Sequence, residues 1–274
     1  MRNISIPLKD VSEREIYEKC ANNLRNKTAL GYLEEAVRSA SVYETYVPKD
    51  VIHFPQYEIK DGDEKEIIKV YTHKFAHQDS IGYEYYNAIM SNANGVCPIC
   101  GGTKLKNLDH YLPKTKYPLL CVTPVNLVPT CRDCNMDKKN VFEEDYYSIP
   151  FHPYFEEMKD AWIECSIDFK ADNTFVVTFY NGFDKSKDES LWNKYEVHMR
   201  VYDLDTTFSA RAQEHINNIR VFYQRLLKKC GKIDVIEDLK EQRISYEQND
   251  KNSWGSALFR ELERKQDQFC TWLT

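Results

Sequence analysis

The chain has 274 residues, of which 42% are hydrophobic and 13% aromatic, and its formal net charge is -6. This length fits one large domain or two small ones, and the apolar fraction suffices for a core without disulfides. The acidity argues against a general nucleic-acid coat protein. No stretch approaches the roughly 20 apolar residues of a membrane span, and the N-terminus lacks the apolar core of a signal peptide. We therefore expect a cytoplasmic protein with no membrane partner.

Residues 1–94 are predicted to form a helical region. In residues 11–46, apolar side chains recur mostly at spacings of three and four, which is the period of an α-helix. Residues 64–92 predict a second helical pair, in which Ser80 is a candidate N-cap. Residues 95–150 differ, because they combine short apolar runs with paired glycines, several prolines and four paired cysteines. We predict a compact module there.

Residues 151–274 are predicted to form a hairpin followed by helices. Apolar side chains alternate at period two from Ile163 to Phe179 on both sides of the turn-like "ADN", which predicts two antiparallel strands. Helical periodicity returns from residue 187, and Ser253 is a candidate cap of the last helical segment. The fold class predicted for the whole chain is α+β, mainly helical with a central zinc-stabilised module and an antiparallel hairpin.

Two Cys-x-x-Cys pairs stand out within the central module. Cys97 and Cys100 form the first pair, Cys131 and Cys134 form the second, and 30 residues separate the pairs. The chain has nine cysteines, an odd number that is otherwise scattered, which favours a reducing compartment and a metal over a disulfide framework. Four thiolates complete a tetrahedral zinc site with no open position for a substrate. We therefore predict a structural Zn2+.

The stretch "DHYLPKTKYPLLCVTPVNLVPTCRDCNMDKKN" carries a second set of spaced polar residues. It contains Asp109-His110, then Asn126, then Asn135. On these residues and the paired cysteines, residues 95–142 resemble the zinc-clamped HNH endonucleases of the ββα-metal fold. The resemblance implies that His110 is the general base, that Asp109 and Asn135 bind one Mg2+ or Mn2+, and that Asn126 orients the imidazole. The family often has His where this chain has Asn135, a departure that bears on metal affinity more than on activity.

Phosphodiester hydrolysis needs a base for the water and a cation for the charge on the phosphate. Asp109 and His110 are neighbours in a predicted strand, so their side chains face opposite sides unless the strand end is distorted. We expect such a distortion. The module is also locally basic, with seven Lys or Arg against three Asp between Cys97 and Asn140. The residues expected to contact phosphate are Lys138 and Lys139, in a helix begun near Asn135, with Arg132, Lys114 and Lys116.

Two further phrases, "FHPYF" at 151–155 and "SWGSALFREL" at 253–262, resemble HNH subunits of bacterial anti-phage systems of the Septu and retron-associated types. That resemblance implies defence against invading DNA together with an ATPase partner. Weak sequence specificity is expected because no helix-turn-helix or finger array is evident. A single HNH site cuts one strand, so double-strand cleavage would need a homo-oligomer or successive nicks. The alternatives are a catalytically inactive zinc-scaffolded nucleic-acid-binding or adaptor protein, and an RNase.

Overall fold

The computed structural model describes residues 2–47, 50–102, 104–138 and 149–274. The described chain divides into two compact units, Asn3–Glu157 and Met158–Thr274, the latter including Arg2. It is mainly helical with two separate antiparallel hairpins, which agrees with the predicted α+β class. The N-terminal unit contains both the helical region and the cysteine-rich module, and the division into three regions stays a prediction.

Helices form most of the first part of the N-terminal unit. Their bounds are α1 (Glu13–Asn22), α2 (Leu33–Tyr46), α3 (Asp63–Lys69), a π-helix (Val70–Phe75) and α4 (Tyr83–Ser91). Helix α1 begins behind Ser12, whose hydroxyl accepts the Glu15 amide hydrogen and satisfies one of the free donors of the first turn. The Ser80 cap was predicted wrongly. Helix α4 begins after Gly82, and the Ser80 hydroxyl donates instead to the Lys74 carbonyl.

The cysteine-rich module has the order strand, strand, helix. Strand β1 (Asn107–His110) pairs antiparallel with β2 (Leu127–Thr130), and α5 (Arg132–Lys138) follows directly. Leu108 and Leu127 pack into an apolar cluster with α1 and α4, whereas Val128 belongs to a second cluster with Tyr43 of α2. Because both faces of this short hairpin are buried, its position is fixed by the surrounding helices.

The C-terminal unit contains the second hairpin and five helices. Strand β3 (Ile163–Phe169) pairs antiparallel with β4 (Phe175–Asn181), which confirms the predicted hairpin. The helices are α6 (Glu189–Val201), α7 (Leu204–Lys229), α8 (Lys232–Asp250), α9 (Trp254–Arg264) and α10 (Gln266–Leu273). Ser253 caps α9 as predicted, because its hydroxyl accepts from the Ser256 amide. Among the helices described, none is both long enough and apolar enough to cross a bilayer.

Candidate functional site

The four paired cysteines meet in the N-terminal unit, which confirms their predicted clustering. The side chains of Cys97, Cys100, Cys131 and Cys134 are buried, and their sulfur atoms all lie within 4.8 Å of one another. Cys97 and Cys100 belong to the loop before β1, whereas Cys131 follows β2 and Cys134 lies in α5. The cluster therefore joins that loop to the junction between the hairpin and its helix.

Local backbone geometry shapes the first pair into a tight turn. The Gly101 amide donates to the Cys97 carbonyl at 2.9 Å, and the Cys97 amide donates to the Gly102 carbonyl at 2.7 Å. Gly101 has a φ of 66°, a conformation that glycine adopts without steric cost. The Gly102 amide also points at the Cys100 sulfur, at 3.4 Å. This turn orients both thiols toward the same point.

The donor set fits a zinc ion. Four sulfurs at about 2.3 Å from a tetrahedral centre are about 3.8 Å apart. The Cys100 and Cys131 sulfurs are 3.7 Å apart. Hydrogen bonds to Cys100 and Cys131 raise the pKa of both Cys97 and Cys134, so a bound cation is what would allow all four groups to be thiolates. The cluster can hold Zn2+ in a structural role.

A separate cleft beside the cluster brings together the predicted catalytic residues Asp109, His110 and Asn135. It has a volume of about 300 Å³, and Tyr71 and Lys114 contribute to its wall. Asp109 and His110 are consecutive residues of β1, and both line this one cleft although the strand keeps a regular register with β2 through His110, so the expected distortion stays a prediction. Helix α5 begins at Arg132 rather than near Asn135, and this earlier start carries Asn135 to the cleft in the middle of the helix.

The His110 ring has one nitrogen engaged and the other available. Its Nε2 lies 2.9 Å from the Cys121 carbonyl, which accepts a hydrogen bond and so assigns the proton to Nε2. No described residue is a hydrogen-bond partner of Nδ1. Burial, together with the positive charge of Lys114, lowers the pKa of His110 to about 3. The imidazole is therefore neutral near pH 7, with its proton on Nε2 and a lone pair on Nδ1.

Asn126, which is expected to orient the imidazole, is not among the residues that line the cleft. Its side chain is fully buried and does not bond to the imidazole. The amide oxygen accepts from the Leu112 backbone N–H and from the Tyr43 hydroxyl, at 2.8 and 2.9 Å, and the amide nitrogen donates to the Leu112 and Leu120 carbonyls. Asn126 thus closes the loop between His110 and Cys121, and it reaches the base only through that loop.

Lys138 also differs from its predicted role as a phosphate contact. Its side chain is only 1% exposed, and its ammonium lies 2.9 Å from the Asp109 carboxylate. The same ammonium donates to the His110 carbonyl at 2.8 Å. Burial raises the pKa of Asp109, and this effect outweighs the opposing influence of Lys138. A lysine that ends in a buried ion pair cannot reach a phosphate at the surface.

The remaining predicted phosphate contacts have different surroundings. Arg132 and Lys116 are exposed, and Lys114 is half-buried at the cleft with its ammonium 5.7 Å from the centre of the Tyr71 ring. Lys139 lies outside the described residues. Positive charge therefore borders the cleft at Lys114, and contact with a phosphate stays a prediction for these residues.

Three residues near the site were not assigned to it from the sequence. The π-helix places Tyr71 so that its ring meets the His110 ring edge-on at 4.4 Å, while its hydroxyl donates to the Leu108 carbonyl. Single π-turns of this kind are common at functional sites. The Tyr43 hydroxyl lies between Asn126 and the ring of His152, whose Nε2 is 3.2 Å away. The phrase "FHPYF" contained the signal for His152, whereas the two tyrosines had no local signal.

The chain is similar in sequence to a phage protein. The chain is 25% identical to Protein ea31 of Escherichia phage lambda over 221 residues, a match that covers 73% of this chain and 72% of the phage protein. No protein-family model matches the chain, and no solved structure matches it. The name of the phage protein states no activity, so the similarity transfers none.

Proposed function

We propose that this protein is an HNH-type endonuclease that hydrolyses DNA phosphodiester bonds with a divalent metal ion. The observation that carries the proposal is the cleft in which the neutral His110 lies beside Asp109 and Asn135. A hairpin and a helix supply these side chains, and the four-cysteine cluster joins the loop before β1 to the junction between that hairpin and helix. The proposal thus rests on the joint placement of a base, oxygen ligands and a zinc-binding cluster.

The geometry of the cleft supports a role for each of these side chains. The Nδ1 atom of His110 would accept the proton of the attacking water, because Nε2 is held by the Cys121 carbonyl. Asp109 and Asn135 offer the oxygen ligands that Mg2+ or Mn2+ prefers, and such a cation would neutralise charge on the phosphate and the departing oxygen. Lys114 is the cationic side chain in the described lining of the cleft, and it would attract the phosphate backbone without reading sequence.

The test is cleavage of supercoiled plasmid by the purified full chain with Mg2+ or Mn2+, with EDTA as the metal-free control. His110→Ala is the critical variant. His77→Ala is the matched control, because His77 is an exposed histidine of the same unit whose ring hydrogen-bonds to the neighbouring Gln78 carbonyl. We expect metal-dependent nicking by the unmodified protein and by His77→Ala, and loss of at least about a hundredfold in His110→Ala. Equal activity of His110→Ala would overturn the proposal.

A second candidate function is a zinc-scaffolded nucleic-acid-binding or adaptor protein without catalysis. The observation that favours it is the ion pair of Asp109, since this carboxylate already has a buried cationic partner. Retained DNA binding without cleavage in any divalent metal would support this candidate. A parallel assay on single-stranded and structured RNA separates the DNase from the RNase. The ATPase partner, self-association and a role in anti-phage defence stay predictions.

A further inference from the structure

The ion pair between Lys138 and Asp109 lies inside the proposed catalytic site. The Asp109 carboxylate faces the cleft and is the one acidic side chain in its described lining. One of its oxygens is 2.9 Å from the Lys138 ammonium, and both side chains are less than one-tenth exposed. The carboxylate proposed as the main metal ligand, Asp109, therefore already has a cationic partner within the protein, the Lys138 ammonium.

The surroundings of Lys138 hold its ammonium in place. A second hydrogen bond, to the His110 carbonyl at 2.8 Å, anchors the ammonium to the end of β1. Its stem rises from the last residue of α5, the helix that also carries Asn135. Because the side chain is only 1% exposed, the ammonium is shielded from solvent where it lies. Lys138 thus connects α5 to β1, the two elements that carry the proposed metal ligands.

This arrangement affects a divalent ion in one of two ways. If the ammonium stays, it lies within a few ångströms of the incoming ion, and charges of the same sign at that distance repel in a partly buried site. If the ammonium leaves, the protein loses two charge-assisted hydrogen bonds that are stronger than neutral ones. Both routes weaken the binding of the ion to Asp109.

We propose that Lys138 is a positioning residue that acts as an internal competing cation and so lowers the affinity of the site for its divalent ion. This inference deepens the proposed function, because it rests on the cation site at Asp109 and Asn135. It assigns to Lys138 a role in setting the metal requirement and in fixing the end of β1, in place of a contact with substrate.

The experiment measures Mn2+ binding to the zinc-loaded full chain by electron paramagnetic resonance, with no nucleic acid present. Lys138→Gln removes the charge but keeps an amide that can donate to the same oxygens, and Lys138→Met provides a second, apolar replacement. Lys106→Gln is the matched control, because it removes one exposed positive charge next to β1. Asp109→Asn removes the proposed carboxylate ligand, so the Mn2+ signal that this variant loses belongs to the ion bound at this site.

We expect Lys138→Gln to bind Mn2+ about tenfold more tightly than the unmodified protein, which corresponds to about 1.4 kcal/mol. Lys106→Gln should change the affinity by less than about twofold, because an exposed charge is screened by salt. Damage to the fold would weaken binding, so a gain in affinity is a result that a purely structural lysine does not give. Unchanged or weaker binding in folded Lys138→Gln and Lys138→Met would overturn the inference.

If neither variant folds, the unmodified protein still provides a test. Titration with Mg2+ should perturb the 15Nζ resonance of Lys138, and a resonance that stays unchanged at Mg2+ saturation would overturn the inference. The outcome is also separable from that of the nuclease proposal. Tighter Mn2+ binding in Lys138→Gln without any cleavage by the unmodified protein supports the role of Lys138 and contradicts the nuclease.

Discussion

Buried polar side chains have different surroundings in the two units. In the C-terminal unit, Glu261 is buried and paired with Arg264 and Lys265, and Asn252 hydrogen-bonds to the backbone at Asp160 and Trp162. The Glu261 carboxylate also accepts from the Ile167 amide of β3, so these side chains join the helices to the hairpin and its flanking chain. In the N-terminal unit, Asp109, His110 and Asn135 converge on a cleft. Both units therefore bury polar groups. The candidate site differs because several polar side chains line the same cleft, which a substrate could enter.

The largest expected effect comes from replacing a cysteine, and it should depend on whether that cysteine is a zinc ligand of the N-terminal unit or a buried thiol of the C-terminal unit. Cys131→Ser removes one of four zinc ligands, so the zinc content should fall from about one equivalent to near zero and the N-terminal unit should unfold. Cys165→Ser is the matched control, since its buried thiol contacts the Ala257 carbonyl in the C-terminal unit. All four tryptophans lie between residues 162 and 272, so their fluorescence reports on the C-terminal unit alone. A folded Cys131→Ser protein with a full zinc equivalent would contradict the zinc site.

The next effect compares two buried asparagines. Asn126→Ala leaves several backbone groups of the loop without partners and should cost about 3 kcal/mol of unfolding free energy, measured by urea denaturation. Asn252→Ala should cost about 2 kcal/mol in the C-terminal unit. Cleavage at a temperature where both variants are folded should fall only for Asn126→Ala. Equal cleavage by both variants would contradict the positioning of the base through the loop.

Acid sensitivity provides a third comparison, because each unit buries a neutral histidine. Burial holds the pKa of His198 well below its usual value of 6.5 and lowers that of His110 to about 3. The unfolded chain takes up these protons first as the pH falls, so stability is present above about pH 6.5 and is lost below it, by up to about 1.4 kcal/mol per pH unit for each group. His198→Gln should flatten the pH dependence of tryptophan-detected unfolding between pH 6.5 and 4. An unaltered slope would show that His198 is not buried in its neutral form.

The smallest expected effect is the loss of one buried tyrosine hydroxyl, and it compares two such tyrosines of the N-terminal unit. Tyr43→Phe loses the hydrogen bonds to Asn126 and His152, and Tyr17→Phe loses the one to the Ala29 carbonyl. Each change should cost about 1 kcal/mol in thermal unfolding. Only Tyr43→Phe should also lower the kcat of cleavage, since its hydroxyl supports the loop that holds His110. A parallel loss of kcat in Tyr17→Phe would point to a general effect of destabilisation.

Local patterns in the sequence determined the features that depend on neighbouring residues. The two Cys-x-x-Cys pairs predicted the cluster, alternation predicted the pairing of β3 with β4, and helical spacing predicted the helices. Each of these follows from a period of the backbone or from a turn that places two thiols together. The resemblance carried by Asp109-His110 and Asn135 also anticipated that these residues share a cleft, although their catalytic roles stay predictions.

Tertiary structure decided which partner each polar side chain has. Asn126 meets the hydroxyl of Tyr43, which is 83 residues away in the chain, and no local period encodes that contact. Lys138 looks like a surface lysine in sequence, yet it is buried because α5 begins at Arg132 and directs its last residue toward Asp109. The physical reason is that period and spacing depend on the chain nearby, whereas burial and ion pairing depend on which distant segments pack against it.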